Sequence, residues 1–327
     1  MPRTNADLTD IFSALPGDER ARLQPGQMPA RVEPMKAVPT DDRFSDPDWI
    51  YERKLDGIRC IGTKTGAGVR LRSRNHIDLN QRFPEVVQAL ERDPGEFVVD
   101  GEVVAFDGAQ TSFARLQQRG ERPVPVFFYV FDLLHLAGYD ITALRLRSRK
   151  ALLRRALVFH DAVRLTTHRN RDGEALYHEA CRKGWEGVIA KRARSPYVFG
   201  RSRDWLKFKC SAEQELVIGG FTPPRGSRTE LGALLLGYYD HGRLRYAGKV
   251  GTGFTHATLS DLAARLAPVR RDTSPFADPV RERGTTWVQP VLVAQVGFTE
   301  WTRDGRLRHP RFLGLRDDKA AGEVVRE

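Results

Sequence analysis

A lysine at the end of a strand pattern constrains this chain more than any other feature. Residues 49–54 read Trp-Ile-Tyr-Glu-Arg-Lys, and Lys54 is followed by Asp56, Gly57 and Arg59. Asp-Gly favours a tight turn, because both residues tolerate the left-handed backbone that a hairpin needs. The spacing predicts a strand over Ile50–Lys54, a turn and a returning strand, with an amine and a guanidinium flanking the turn. A lysine becomes a nucleophile toward phosphorus when it is held, partly desolvated and surrounded by other cations. An ordinary surface hairpin reads the same over so few residues. Residues further along the chain separate the two.

Charged groups recur at or beside predicted strand ends: Arg59, Arg74, Glu102, Glu186, Lys191, Lys207 and Lys209. One such charge is usually a solvated strand terminus. So many within one region point instead to a shared site. Two or three close cations would bring a lysine from about 10.4 to near 8, a differential interaction of roughly 3 kcal/mol. The same cations would hold a triphosphate, and the two glutamates would bind Mg²⁺ or ribose hydroxyls.

Around these groups the pattern is mixed. Strands are expected at Trp49–Lys54, Ile58–Thr63, Val69–Arg74, Phe97–Phe106, Val124–Leu134, Gly187–Lys191 and Trp205–Lys209. Helices are expected at Arg82–Arg92 with Asn80 as cap, Ser112–Arg119, Ser148–Leu157 with a serine cap, and Glu174–Lys183. After Cys210 the chain reads as strands separated by Gly- and Pro-bearing turns, with one helix at Thr258–Leu266, which fits a small Greek-key barrel. Residues 1–40, broken by five prolines after a short amphipathic segment around Leu8–Leu15, read as a leader. The expected organisation is a leader over 1–40, an α+β domain over 41–211 and a barrel over 212–327.

Composition sets the partner class. A formal charge of +11 in 327 residues points to a polyanion, and arginine suits bidentate phosphate contacts. Cys60, Cys181 and Cys210 are far apart with no Cys-x-x-Cys pair, which excludes a four-cysteine zinc site within the chain and predicts inert thiols rather than a disulfide framework. No stretch reaches membrane-spanning length. The expectation is a soluble protein of a reducing compartment.

The ordered set of motifs resembles a known family. Lys54-Leu-Asp-Gly-Ile-Arg59 carries Glu52 two residues before the lysine. Then come Arg72-Ser-Arg74-Asn, Asp100-Gly-Glu102, Tyr129-Val-Phe131-Asp132, Glu186-Gly-Val-Ile-Ala-Lys191 and Trp205-Leu-Lys207-Phe-Lys209. The series ends with Arg308-His-Pro-Arg311-Phe-Leu-Gly-Leu-Arg316-Asp317-Asp318-Lys319. Together these resemble the ATP-dependent DNA ligases of the covalent nucleotidyltransferase superfamily, in particular the ligase module of the bacterial LigD type. Resemblance extends from about Pro34 to Val325 and implies an α+β nucleotidyltransferase (adenylation) domain, with mixed antiparallel sheets and helices, followed by an OB-fold barrel.

The resemblance implies roles residue by residue. Lys54 would attack the ATP α-phosphorus and carry AMP. Arg59 and Glu102 would hold the ribose, Phe131 would stack on adenine, and Glu52 would contact the adenine side largely through its backbone. Lys207 and Lys209 would meet the α-phosphate, and Arg316 and Lys319 the pyrophosphate, which requires the barrel to close for adenylation. Glu186, with Glu102, would bind Mg²⁺ or Mn²⁺. Arg74, with Arg72, would meet the DNA 5′-phosphate.

The implied partner is nicked or broken duplex DNA, and a Ku-type end-binding protein is a candidate recruiter. The expected enzyme is a cytoplasmic, nucleoid-associated bacterial monomer, stand-alone or one piece of a split system. RNA ligases and GTP-dependent capping enzymes use the same lysine chemistry, and a non-catalytic DNA-binding module would share the basic surface. The Arg308–Lys319 ending and the intact Lys54 favour the DNA ligase.

Overall fold

A computed structural model describes residues 11–117, 119, 124–210, 212–224, 230–302 and 304–326. Leu8, in the expected amphipathic segment, and Ser211, at the expected boundary, lie outside these. The chain divides into two compact units, Met1–Cys210 and Ser211–Glu327.

Unit 1 contains, in chain order, β1 (Met35–Pro39), β2 (Trp49–Lys54), β3 (Ile58–Thr65), β4 (Gly68–Ser73), α1 (Pro84–Glu91), β5 (Phe97–Asp107) and β6 (Val126–Leu136). It continues with α2 (Leu146–Ala156), β7 (His168–Asn170), α3 (Gly173–Arg182), β8 (Gly187–Arg192) and β9 (Gly200–Lys209). One sheet runs β6-β5-β3-β4, all antiparallel. The other runs β7-β2-β8-β9-β1, antiparallel except for the last pair. Strand alternation gives each sheet two faces. The first sheet buries Cys60, Leu71, Val99 and Phe128 against α1 and α2. The second buries Tyr51, Val188, Ala190 and Phe208 against Leu176 and Ala180 of α3. Their remaining faces meet through Ile61, Val98 and Phe131 from one sheet and Met35 and Trp205 from the other.

Residues 11–39, set apart in the sequence as a leader, are part of unit 1. Phe12 and Leu15 are buried in the first core, and Met35–Pro39 forms an edge strand. An edge strand bonds on one side alone, so it tolerates the prolines that suggested an unpaired segment.

Two helix starts differ from the sequence pattern. α1 begins at Pro84, while Asn80 accepts from the Leu71 N–H at 2.7 Å and donates to the Val69 carbonyl at 2.8 Å. α2 begins before Ser148: the N–H groups of Leu146 and Arg147 donate to the carbonyls of Ser195 and Ala193, so no hydroxyl cap is needed. Cys181 and Cys210, expected as separate thiols, form a disulfide joining the end of α3 to the residue after β9. Their 29-residue separation carries no spacing signal.

Unit 2 contains β10 (Ala212–Phe221), β11 (Leu234–Asp240), β12 (Arg243–Val250), α4 (His256–Leu266), β13 (Thr286–Val288), β14 (Val293–Phe298) and β15 (Arg311–Leu315). β10 pairs with β11, β13 and β14, and its register shifts between Ile218 and Gly220. Such a bulge bends a strand enough to serve several partners, as a closed barrel requires. β13 and β14 are separated around Pro290, which has no N–H to donate to a strand ladder. The β11–β12 hairpin turns on His241 and Gly242, both at positive φ (47° and 73°), as a two-residue turn demands. α4 is capped reciprocally by Thr255 and Thr258. The units have the expected architecture, an α+β nucleotidyltransferase domain followed by an OB-type barrel. No helix among the described residues is long and apolar enough to cross a membrane.

Candidate active site

The charged face of the β7-β2-β8-β9-β1 sheet is assembled by register. Lys54, Gly187 and Lys209 stand in one row across β2, β8 and β9. Glu52, Ile189 and Lys207 form the next row, and Ile50, Lys191 and Trp205 the third. Rows two residues apart share a face, so Glu52, Lys54, Lys191, Lys207 and Lys209 all project on one side. Two glycines let the strands approach here. A Cβ on Gly57 would lie 2.2 Å from the Val103 carbonyl oxygen, and one on Gly187 2.0 Å from that of Phe208. The Asp56 carboxylate fixes the turn by accepting the Phe113 N–H at 3.2 Å.

Lys54 Nζ forms a close ion pair with Glu186 Oε1, both side chains largely buried. Burial pushes the ammonium down, but the Glu186 carboxylate, helped by Asp56 and Glu102, reverses this and holds Lys54 above its ordinary value. The expected ring of cations lowering Lys54 is therefore corrected: its near neighbours are carboxylates. The depressed lysine is Lys191, brought to about 8 by burial, with Lys150 adding to the effect and Glu52 opposing it. Glu52 is 2% exposed and is shared by Lys150 and Lys191, the latter at 2.7 Å.

On the facing sheet Arg59 pairs in register with Glu102, and Glu102 with Tyr129. The Arg59 guanidinium makes two 2.6 Å bonds to Asp100 and donates to the Met35 carbonyl at 3.0 Å. Asp100 also accepts from the Tyr197 hydroxyl at 2.6 Å. Phe131 is 8% exposed, with Arg59 lying 4.6 Å and Lys191 Nζ 4.1 Å from its ring centre. These are cation–π contacts. Phe131 thus sits on the meeting faces of the two sheets.

Arg74 has its Nε and Nη2 buried without a hydrogen-bond partner, which fits an anion. Arg72 donates to the His76 carbonyl at 3.3 Å and lines a cavity of about 280 Å³ with Arg31, Arg70 and His76. Glu186 Oε2 is likewise buried and unbonded, which fits a cation. No group of three or more His, Cys, Asp or Glu among the described residues is arranged to hold a metal. Glu102 and Glu186, which both act on Lys54, suit Mg²⁺, an ion held by one or two carboxylates with water and substrate phosphates completing its shell.

Arg316 and Lys319 belong to unit 2. Arg316 grips Asp318 with two 2.9 Å bonds, and Lys319 donates to Glu215 at 2.8 Å. Within unit 1 the structure brings together Glu52, Lys54, Arg59, Glu102, Phe131, Glu186, Lys207 and Lys209 between the two sheets. Sequence reasoning missed Lys150, Tyr197 and the pinning role of Asp100. The basic face of α2 was a signal for the first, and nothing in the sequence marked Tyr197.

Comparison with known proteins fits this geometry. Residues 30–209 match the model of the ATP dependent DNA ligase domain, and residues 227–319 that of the ATP dependent DNA ligase C terminal region. The chain is 41% identical over 292 residues to a Pseudomonas aeruginosa multifunctional non-homologous end joining protein LigD, covering 86% of this chain and 35% of that protein. It is 37% identical over 317 residues to the Mycolicibacterium smegmatis protein of the same description, covering 94% and 41%. It therefore spans well under half the length of these relatives. Among solved structures, mycobacterial DNA ligase D complexed with ATP and MES is similar, with a TM-score of 0.67 and 36% identity over 90% of this chain and 98% of that one. The chain belongs to the ATP-dependent DNA ligase family.

Proposed function

We propose that the chain seals 3′-hydroxyl/5′-phosphate breaks in duplex DNA with ATP, through a lysyl–AMP intermediate. The observation that carries this reading is the Lys54–Glu186 pair, set in one row with Lys209 and beside Glu102. Lys54, which rests as an ammonium, first releases one proton through Glu186 to solvent. The freed amine attacks the ATP α-phosphorus, the P–N bond forms as the bond to pyrophosphate breaks, and the second amine proton leaves with the pyrophosphate. Lys207 and Lys209 neutralise charge developing on the α-phosphate. Arg59 and Glu102 hold the ribose, Phe131 takes the adenine face, and the Glu52 strand its edge. Glu186 and Glu102 would hold a divalent cation, Mg²⁺ or Mn²⁺, which when bound neutralises the polyphosphate. Arg316 and Lys319 orient the leaving pyrophosphate. AMP then passes to a DNA 5′-phosphate held by Arg74 and Arg72, and the 3′-hydroxyl displaces it.

The relatives' descriptions name non-homologous end joining, which favours that setting. With it we propose broken duplex as substrate and a Ku-type end-binding protein as partner. We take the enzyme to be a cytoplasmic, nucleoid-associated monomer. The test is incubation with α-labelled ATP and divalent metal, then addition of nicked DNA. Label should appear on the protein and be chased by the nick. A wild-type chain that takes no label from ATP even after pyrophosphate stripping, with GTP and NAD⁺ also silent, would overturn the reading. Lys319→Ala should impair labelling by about tenfold or more while sealing of a pre-adenylated nick falls much less. Equal loss in both steps would remove Lys319 from the pyrophosphate role.

A further inference from the structure

α2 carries a second basic feature, apart from the nucleotide face. Arg147, Lys150, Ala151 and Arg154 follow the i, i+3, i+4, i+7 spacing of one helix face. With His168 of β7 they line an open cavity of about 180 Å³. Lys150 is buried and Arg147 and Arg154 are exposed, so one cation lies deep and two stand at the rim. His168 is the register partner of Glu52, on the opposite side of β2 from β8. The cavity therefore occupies the β7 edge of the sheet, separated from Lys191 and Phe131 by the Glu52 side chain.

Its charge is not balanced from within. Glu52, the carboxylate beside Lys150, is shared with Lys191, leaving two ammonium groups on one carboxylate. Arg147 donates to Asn170 Oδ1 at 2.9 Å and to the Pro47 carbonyl at 3.5 Å, both neutral acceptors. His168 has a buried Nδ1 without a hydrogen-bond partner. Burial and Lys150 push His168 down to about 4, with Arg154 and Arg147 adding to this against Glu52. Burial is the larger cause, and the imidazole stands beside the cations Lys150, Arg147 and Arg154 with Glu52 as the opposing carboxylate. The volume lies below the range of about 300–1,000 Å³ typical of small-molecule pockets, so a single phosphate group fits the space better than a nucleotide. Two guanidinium groups at the rim suit phosphate oxygens.

We propose that the α2–β7 cavity is a phosphodiester subsite that grips one backbone phosphate of duplex DNA away from the reacting ends. This rests on the reading of the chain as a DNA ligase. The test uses the full chain carrying Arg147→Ala and Arg154→Ala, with two readouts. Labelling by α-labelled ATP should stay within about twofold of wild type, because neither arginine belongs to the nucleotide machinery.

Binding to nicked duplex should weaken about 3- to 10-fold near 0.15 M salt. The slope of log affinity against log salt should become shallower by about one, the signature of one lost phosphate contact. Unchanged affinity and slope would overturn the subsite. Loss of labelling in step with binding would overturn it as well, by making the arginines part of the nucleotide site. A wild-type chain that is never labelled would instead fail the ligase reading. In that case His168 decides the subsite independently. Its NMR titration midpoint should rise by about one pH unit or more with duplex, and not in Arg154→Ala. A rise with inorganic phosphate but none with duplex would overturn the polynucleotide assignment.

Discussion

Two lysines on one sheet face, the largely buried Lys54 and the fully buried Lys191, end in opposite electrostatic states. Lys54 has Glu186 as its ion-pair partner, with Glu102 and Asp56 also acting on it, and is held charged. Lys191 shares Glu52 with Lys150, lies over the rings of Phe131 and Trp205, and is pushed toward neutrality. Burial acts on both in the same direction. Burial is the largest influence on both and is deeper at Lys191; at Lys54 the carboxylates of Glu186, Asp56 and Glu102 together outweigh it, whereas at Lys191 Glu52 and Asp132, opposed by Lys150, do not. The nucleophile of the proposed reaction rests protonated, and the lysine with the lowered value is a neighbour lying over Phe131 and Trp205.

The largest expected effect tests that division. Lys54→Ala should abolish protein–AMP formation, a loss of about 10³-fold or more, because no other amine replaces the nucleophile. Lys191→Met should keep measurable labelling. Label moving to Lys191 in the Lys54→Ala chain, found by peptide mapping, would invert the assignment.

A second comparison separates structure from chemistry. Glu52→Gln leaves two buried ammonium groups without a carboxylate and should destabilise unit 1 by about 3–5 kcal/mol. Glu186→Gln leaves one lysine that reaches solvent and should cost about 2 kcal/mol or less, while labelling with ATP is severely impaired. Urea unfolding of both variants measures this. Equal losses of stability would mean that the shared carboxylate is no more structural than the private one.

Much of this site was legible because strand alternation converts sequence spacing into a shared face. Glu52 and Lys54, Lys207 and Lys209, and Glu186 beside the first residue of β8 needed only the period of two and the order of the motifs. What escaped depends on partners far along the chain. Glu52 is neutralised from α2 and β8, Asp100 is fixed from Tyr197, and no local pattern encodes either pairing. The early prolines concealed an edge strand, since proline signals a break whether or not the ladder needs that N–H. Ser148 resembled a cap, yet the first turn of α2 is satisfied by carbonyls of Ala193 and Ser195. Asp56, Glu102 and Glu186 stood in the sequence beside the cations, but that these carboxylates are the groups acting on Lys54 became apparent only in the fold.

The smallest effect, and the sharpest comparison, lies in the pH dependence of stability. Lys191 titrates near 8 in the fold against 10.5 ordinarily, so between those values the unfolded chain binds more protons than the native one. Stability contributed through Lys191 must then rise with pH across that window, by about 3 kcal/mol at most. Below about pH 8 the full cost of burying its charge is present. Lys54 has the opposite sign: its raised value means that its ion pair stabilises fully below 10.5 and is lost only as pH climbs through the higher folded value. Urea midpoints of wild type and Lys191→Met, compared from pH 7 to 10, isolate the first effect. The variant should gain most at pH 7, and the gap should close as pH rises past 8. A gap that stays constant would mean that Lys191 keeps its proton across the window, and the contrast with Lys54 would collapse to a difference in packing.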